Sequence, residues 1–167
     1  MRTRSAPSPV LDAPSLAPAE RDAIAVGLAA SVRTAVDGLE VGATRRWWRL
    51  VATDTFDAWL IDWPPGTEVP RHDHDGAAAS ICVVRGELVE TRFDTSGPSW
   101  SRAWSGGLLR VGAEVSHQIG NEATHPASSV HVYSPPLRSM GFYDGDGASV
   151  RREGVDAAPT LWNVDLP

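Results

Sequence analysis

After Gly42 the sequence breaks into short apolar or alternating runs separated by turn residues, most of them closed within a few residues by glycine, proline or serine. Such breaks leave no room for helices of ordinary length, whereas strands fit between them. The runs predict strands at Arg46–Ala52, Ala58–Trp63, Ala79–Val84, Glu87–Phe93, Leu108–Val111, Ser116–Ile119, Ser129–Tyr133 and Thr160–Val164. Pro64-Pro65-Gly66, Arg85-Gly86 and Ser96-Gly97-Pro98 mark turns between some of them. Seven tryptophans favour strand and core positions. Many short strands with close turns predict a sandwich or small barrel.

Upstream the texture differs. Residues 1–18 are rich in proline and serine and read as a flexible arm. Ala19 to Leu39 reads as a helix, because Ile24, Leu28, Val32 and Val36 recur every fourth residue as one apolar stripe. Ser15 is a candidate cap at its start, and Gly38 marks its end. The stripe needs a surface to cover, and a sheet face is the natural one. The remainder, 19–167, reads as a single domain, since 167 residues suit one core.

Charge and cysteine content narrow the function classes. A net charge of −6 argues against a nucleic-acid or anionic-membrane surface, which needs a basic stripe. One cysteine, Cys82, excludes an internal disulfide framework and a multi-cysteine zinc site. No apolar run approaches the ~18–20 residues of a membrane span, and Met1 to Pro18 lacks the apolar core of a secretory signal. A cytoplasmic monomer is the default expectation, and an oligomer is compatible with the sequence.

The five histidines are unevenly placed. His72 and His74 stand two apart in Arg71-His72-Asp73-His74, so an extended backbone points both rings to one face and Asp73 to the other. That pair can share one metal ion, with His117 on a later strand as a third candidate ligand. His125, in Ala123-Thr124-His125-Pro126, reads as a solvated loop residue. Glu87 and Glu90 also read as solvated, and Asp75 follows His74 too directly to share its face.

The spacing around the pair resembles the first cupin motif: Gly66, five residues, His72, one residue, His74, then eleven residues to Gly86. The second motif is partly present in Gly106, His117 and Asn121, with Gly112 and Glu114 where its proline and glycine usually stand. The resemblance implies an all-β cupin double-stranded β-helix, or jelly-roll barrel, preceded by the N-terminal α-helix, with a metal held inside. Common cupins add a glutamate ligand where this chain has Ala79. The implied centre is therefore three neutral histidines, a set that suits Fe, Ni, Cu or Zn.

A second likeness is more specific. Ser129-Val130-His131-Val132-Tyr133-Ser134-Pro135-Pro136 resembles the Ser-x-His-x-Tyr-Ser-Pro-Pro run of the cysteine dioxygenases, or thiol dioxygenases. Gly86-Glu87-Leu88-Val89-Glu90-Thr91 resembles the hairpin of that family, and the likeness spans about Trp47 to Asp144. Alternation puts Ser129, His131 and Tyr133 on one strand face, where they can form a hydrogen-bonded chain. Family members bind the substrate carboxylate with an arginine on an early strand. The resemblance favours Arg49, with Arg46 as the alternative and Arg45 close by. Some members cross-link a cysteine to the tyrosine. That position is Ala79 here, and Cys82 should face the other way as a small buried residue, so no cross-link to Tyr133 is expected. Trp59, Ile61 and Trp63 share a strand face and read as core. Trp104, Phe142 and Tyr143 are candidates for core or pocket mouth, and Arg71 for the rim.

The resemblance implies an iron(II) thiol dioxygenase that oxidises L-cysteine with O2 to cysteine sulfinic acid. His72, His74 and His117 would hold Fe(2+), Arg49 and Tyr133 would bind the substrate, and Tyr133, His131 and Ser129 would serve catalysis. The partners expected are a small-molecule thiol and O2. Three alternatives remain: a dioxygenase of 3-mercaptopropionate or another small thiol, a different oxygenation such as quercetin or diketone cleavage, and a non-catalytic metal-binding cupin.

Overall fold

A computed structural model describes residues 14–155. The flexible-arm reading of residues 1–18 falls largely outside them, and the strand expected at Thr160–Val164 falls wholly outside. The described chain is one helix followed by eleven strands. Helix α1 spans Pro18–Asp37. The strands are β1 (Arg46–Ala52), β2 (Asp57–Trp63), β3 (Glu68–Asp73), β4 (Ala78–Arg85), β5 (Glu87–Asp94) and β6 (Gly97–Trp104). They continue as β7 (Leu108–Val111), β8 (Ser116–Gly120), β9 (Ala127–Ser134), β10 (Ser139–Tyr143) and β11 (Ser149–Gly154).

The strands form two antiparallel sheets. One has the order β1-β2-β9-β4-β7, the other β11-β10-β3-β8-β5-β6. Strict alternation divides the first sheet between two clusters. Trp59 and Trp63 on β2, Ile81 and Val83 on β4, and Tyr133 on β9 face the space between the sheets. Ala58, Leu60, Cys82, Val84, Val130 and Val132 face outward, under α1. Fully burying side chains such as Ile81, Leu88 and Ile119 stabilises the fold by roughly 1.5–3 kcal/mol each. Cys82 thus faces away from Tyr133, as its odd spacing from Ala79 requires.

The helix departs from expectation in two respects. Its most buried positions are Arg21, Ala25, Ala29 and Val36, while Ile24, Leu28 and Val32 pack at the flank. The small alanines allow close approach to the sheet, and Arg21 Nε donates to Ser80 Oγ at 3.1 Å. The start is not capped by Ser15. Ala17 is the N-cap, and the Glu20 carboxylate accepts its N–H at 2.8 Å.

Strands β3, β6, β10 and β11 were not expected. β3 carries Pro70 beside a register shift between Val69 and His72, where a missing N–H is tolerated. β11 is polar and exposed, with weak strand propensity, and β10 is a short run of five residues interrupted by Gly141. Gly97 opens β6 rather than breaking the chain. Gly86 has φ +74, and a Cβ there would lie 2.6 Å from the Pro126 carbonyl oxygen, so the β4–β5 hairpin needs glycine.

Candidate metal centre

His72 lies near the end of β3, His74 just beyond it, and His117 on β8 directly opposite His72. All three are buried between the sheets. Ring centroids are 5.1 Å apart for His72–His74, 4.5 Å for His72–His117 and 4.9 Å for His74–His117. One ring nitrogen from each lies within 4.8 Å of the others, and the group could hold a metal ion. Asp73 points the other way, where it pairs with Arg152 and accepts the Tyr143 hydroxyl. Asp75 has a left-handed φ of 52 and is held by Ser139 and Arg152, off the ligand face.

Protonation and hydrogen bonding suit this set to a cation. Burial, reinforced by the His117 ring nearby, pushes His72 and His74 well below the ordinary histidine range, so both rings are neutral. His72 Nδ1 lies 2.8 Å from the Pro70 carbonyl oxygen, to which only a protonated Nδ1 can bond. His117 Nδ1 lies 2.8 Å from Glu90 Oε1, with the same consequence. In a neutral ring each then presents Nε2 as a lone pair. His117 Nε2 faces His74 Nε2 at 3.2 Å, and His74 Nδ1 is buried without a hydrogen-bond partner. Imidazole nitrogens converging on one point match a shared divalent ion such as iron, zinc, copper or nickel.

The carboxylate behind His117 corrects the reading of Glu90 as solvated. Glu90 is fully buried, because it sits two residues from Leu88 on β5 and shares its inward face. Glu87, by contrast, lies at the surface side and pairs with Arg102 at 3.0 Å.

Across the barrel, β9 lines up the second group. Trp63 Nε1 donates to Ser129 Oγ at 2.9 Å, Ser129 Oγ lies 2.9 Å from His131 Nε2, and His131 Nδ1 lies 3.1 Å from the Tyr133 hydroxyl. The donor-only indole gives this chain a direction. Ser129 is fully buried, and its hydroxyl meets the indole and His131. Its hydroxyl proton is therefore satisfied only by donation to Nε2. Reversal would strand that proton at a cost of about 1–3 kcal/mol. Burial lowers the His131 pKa to about 3, so the ring is neutral. Its remaining proton sits on Nδ1 and is given to the Tyr133 oxygen, which leaves the tyrosine proton to point into the cavity. Burial also raises the Tyr133 pKa, keeping the phenol protonated. Trp63 packs in the core, as its strand face predicts, and its N–H also anchors this chain.

Between the two groups lies a cavity of about 650 Å³, whose walls include His72, His131, Tyr133, Ile61, Met140 and Phe142. Among the arginines of the β1 region, Arg45 and Arg46 line it and Arg49 does not. Arg49 stacks on Trp59 at 4.4 Å and lies within electrostatic reach of the buried Asp57. Arg46 is committed to Asp62 at 3.2 Å and to the Glu40 carbonyl at 2.7 Å. Arg45 sits 5.7 Å from the Trp47 ring centre and 5.3 Å from that of Trp63, and donates to the Glu68 carbonyl at 2.9 Å. No carboxylate pairs with it among the described residues. Its charge reaches His72, His131 and Tyr133. Alternation puts Arg45, Trp47 and Arg49 on one face, so the sequence pattern alone does not rank Arg45 above Arg49.

The other candidates separate cleanly. His125 is exposed, as expected, while Asn121 braces its turn through the Trp63 and His125 carbonyls at 3.0 and 2.8 Å. Phe142 lines the cavity. Trp104 is 61% exposed on β6, and Tyr143 binds Asp73. Arg71 lies over Phe93 and Tyr143 and donates to Ser116 at 3.0 Å.

Comparison with known proteins gives three findings. Residues 39–146 match the family described as cysteine dioxygenase type I. Cysteine dioxygenase type 1 of Danio rerio is 29% identical over 105 residues, covering 53% of this chain and 50% of that protein. The chain thus matches about half the length of that relative. Among solved structures, the cupin domain of Schizosaccharomyces pombe Cnp3 aligns with a TM-score of 0.52 at 16% identity, over 59% of this chain and 70% of that one. Lactobacillus farciminis oxalate decarboxylase aligns with a TM-score of 0.53 at 18% identity, over 60% and 32%. These likenesses establish the cupin fold.

Proposed function

We propose that this chain, which belongs to the cysteine dioxygenase type I family, is an iron(II) thiol dioxygenase converting L-cysteine and O2 to cysteine sulfinic acid. The observation that carries this reading is the convergence of His72, His74 and His117 inside the barrel of a family member. The net reaction balances without an outside reductant: the thiolate sulfur gains two oxygen atoms and loses four electrons, and O2 accepts four. Iron(II), when bound, supplies the one-electron chemistry that lets a closed-shell thiolate react with triplet O2.

The residues have distinct tasks in this reading. His72, His74 and His117 hold the ion with neutral nitrogens, so no direct protein ligand offsets its double positive charge, and an anionic thiolate is favoured there. Arg45 orients the substrate through its carboxylate. It takes this role in preference to Arg49, because it lines the cavity and no carboxylate competes for it. Burial already disfavours the Arg45 charge, so an incoming carboxylate restores what desolvation removed. Tyr133 donates its hydroxyl proton to the oxygen-bearing group in the cavity, while Ser129 and His131 hold that hydroxyl in direction. The apolar walls exclude water from the reacting atoms.

A second reading keeps the chemistry and changes the thiol. 3-Mercaptopropionate offers the same carboxylate to Arg45 and differs in lacking the amine. The experiment is a panel of cysteine, 3-mercaptopropionate and cysteamine on iron-loaded protein, following O2 uptake and sulfinate together. One sulfinate per O2 with cysteine as the best substrate is the expected result. A preference for 3-mercaptopropionate selects the second reading, and background O2 uptake with every thiol refutes both.

A further inference from the structure

The metal-side cluster contains one carboxylate for which the proposed reaction has no use. A buried carboxylate is costly unless its oxygens are paired, and those of fully buried Glu90 divide between two directions. Oε1 lies 2.8 Å from His117 Nδ1. Oε2 accepts Arg92 Nε at 2.8 Å and Ser101 Oγ at 3.3 Å. The Arg92 side chain is 33% exposed, so a continuous polar line runs from the ring of His117 through Glu90 to the protein surface.

We propose that Glu90 is a positioning residue for the metal centre. By accepting the Nδ1 proton of His117 it fixes the tautomer that turns Nε2 toward the ion and strengthens that nitrogen as a donor, while Arg92 tempers the carboxylate charge from outside. The proposal rests on the reading of the triad as an iron site and extends it. A carboxylate behind a ligating imidazole raises the ligand's basicity, and losing such a partner weakens metal binding. The three rings are unequal in this respect: His72 has a neutral carbonyl behind it and His74 has no partner at Nδ1. His117 is therefore the strongest donor of the three. An anionic partner favours the more highly charged ferric state, so Glu90 lowers the ferric/ferrous potential and Arg92 raises it.

The test uses the full chain as native, Glu90→Gln and Arg92→Gln proteins. Affinity for cobalt(II) alone is read by chelator competition, and the iron midpoint potential by titration. Glu90→Gln should lose roughly 10–100-fold in cobalt affinity and shift the potential upward. Arg92→Gln should shift the potential downward. Opposite signs distinguish tuning from packing, since a purely structural defect loosens the site in either variant. Unchanged affinity and potential in Glu90→Gln, or shifts of the same sign in both variants, overturn the proposal. Should Glu90→Gln fail to fold, Arg92→Gln decides alone, and an unmoved potential then overturns it. Neither readout uses a thiol, so a failed substrate panel removes the dioxygenase reading without touching this one. A native chain that binds no cobalt removes the metal reading on which this one rests.

Discussion

The two sheets meet the same cavity with opposite designs. The six-stranded sheet brings His72, His117 and Glu90 to its inner face, and most of its polar atoms there are held from behind by a carbonyl, a carboxylate or an arginine. The five-stranded sheet brings Trp63, Ser129, His131 and Tyr133, whose hydrogen bonds run one way and leave a donor at the end. One face is braced to hold, the other to present. Both rest on the same alternation of strand side chains, so the difference lies in where each polar chain terminates: in an arginine near the surface on one side, in the cavity on the other.

The largest expected effect breaks the holding side. His117→Ala should lower iron affinity by more than the roughly 10–100-fold that loss of a partner behind a ligand costs, read by metal analysis after gel filtration, and should abolish thiol-dependent O2 uptake. Next comes the cation on the presenting side. Arg45→Ala should raise the KM for cysteine roughly 10–100-fold, the loss of a charged hydrogen bond, with iron content unchanged. Arg49→Ala should move it by less than about threefold, and steady-state kinetics on the pair assigns the carboxylate to one residue. A large effect at Arg49 with none at Arg45 would return the role to Arg49. Tyr133→Phe keeps the ring packed against His74 and removes only the donor. It should lower kcat about tenfold or more while leaving metal affinity at the native level.

A last test sharpens the contrast through acid, on stability rather than turnover. His131 binds its proton at about 3 in the folded protein, against an ordinary value of 6.5. The unfolded chain therefore holds more protons between those limits, and the stabilisation is present above 6.5 and lost as pH falls toward 3. The melting temperature of the metal-free protein should drop through that window, and His131→Gln should flatten the curve. A curve with the same slope in both proteins would show that His131 is not buried as the neutral ring.

Legibility in the sequence followed the regularity of the backbone. The His-x-His pair and the Ser129–His131–Tyr133 run need only the period of two to place their side chains, and the structure gives each the expected face. Cys82 and the Trp59–Ile61–Trp63 face obey the same rule. What escaped depended on partners distant in sequence. Glu90 looks like a solvated charge until His117, paired from β8, covers it. The arginines are not ranked by local pattern, because alternation gives Arg45 and Arg49 one face and Asp62, which occupies Arg46, lies on another strand. The helix buries Ala25 and Ala29 in preference to its larger stripe, since close packing on a sheet rewards small side chains as much as apolar ones.

The claim beneath both halves is that neutral imidazoles of His72, His74 and His117 grip one ferrous ion. X-ray absorption on the iron-loaded native chain, with iron counted per protein, addresses it most directly. One iron per chain with three imidazole nitrogens among its ligands is the expected result. An iron that stays bound after His117→Ala, or a ligand shell without three imidazoles, would contradict it.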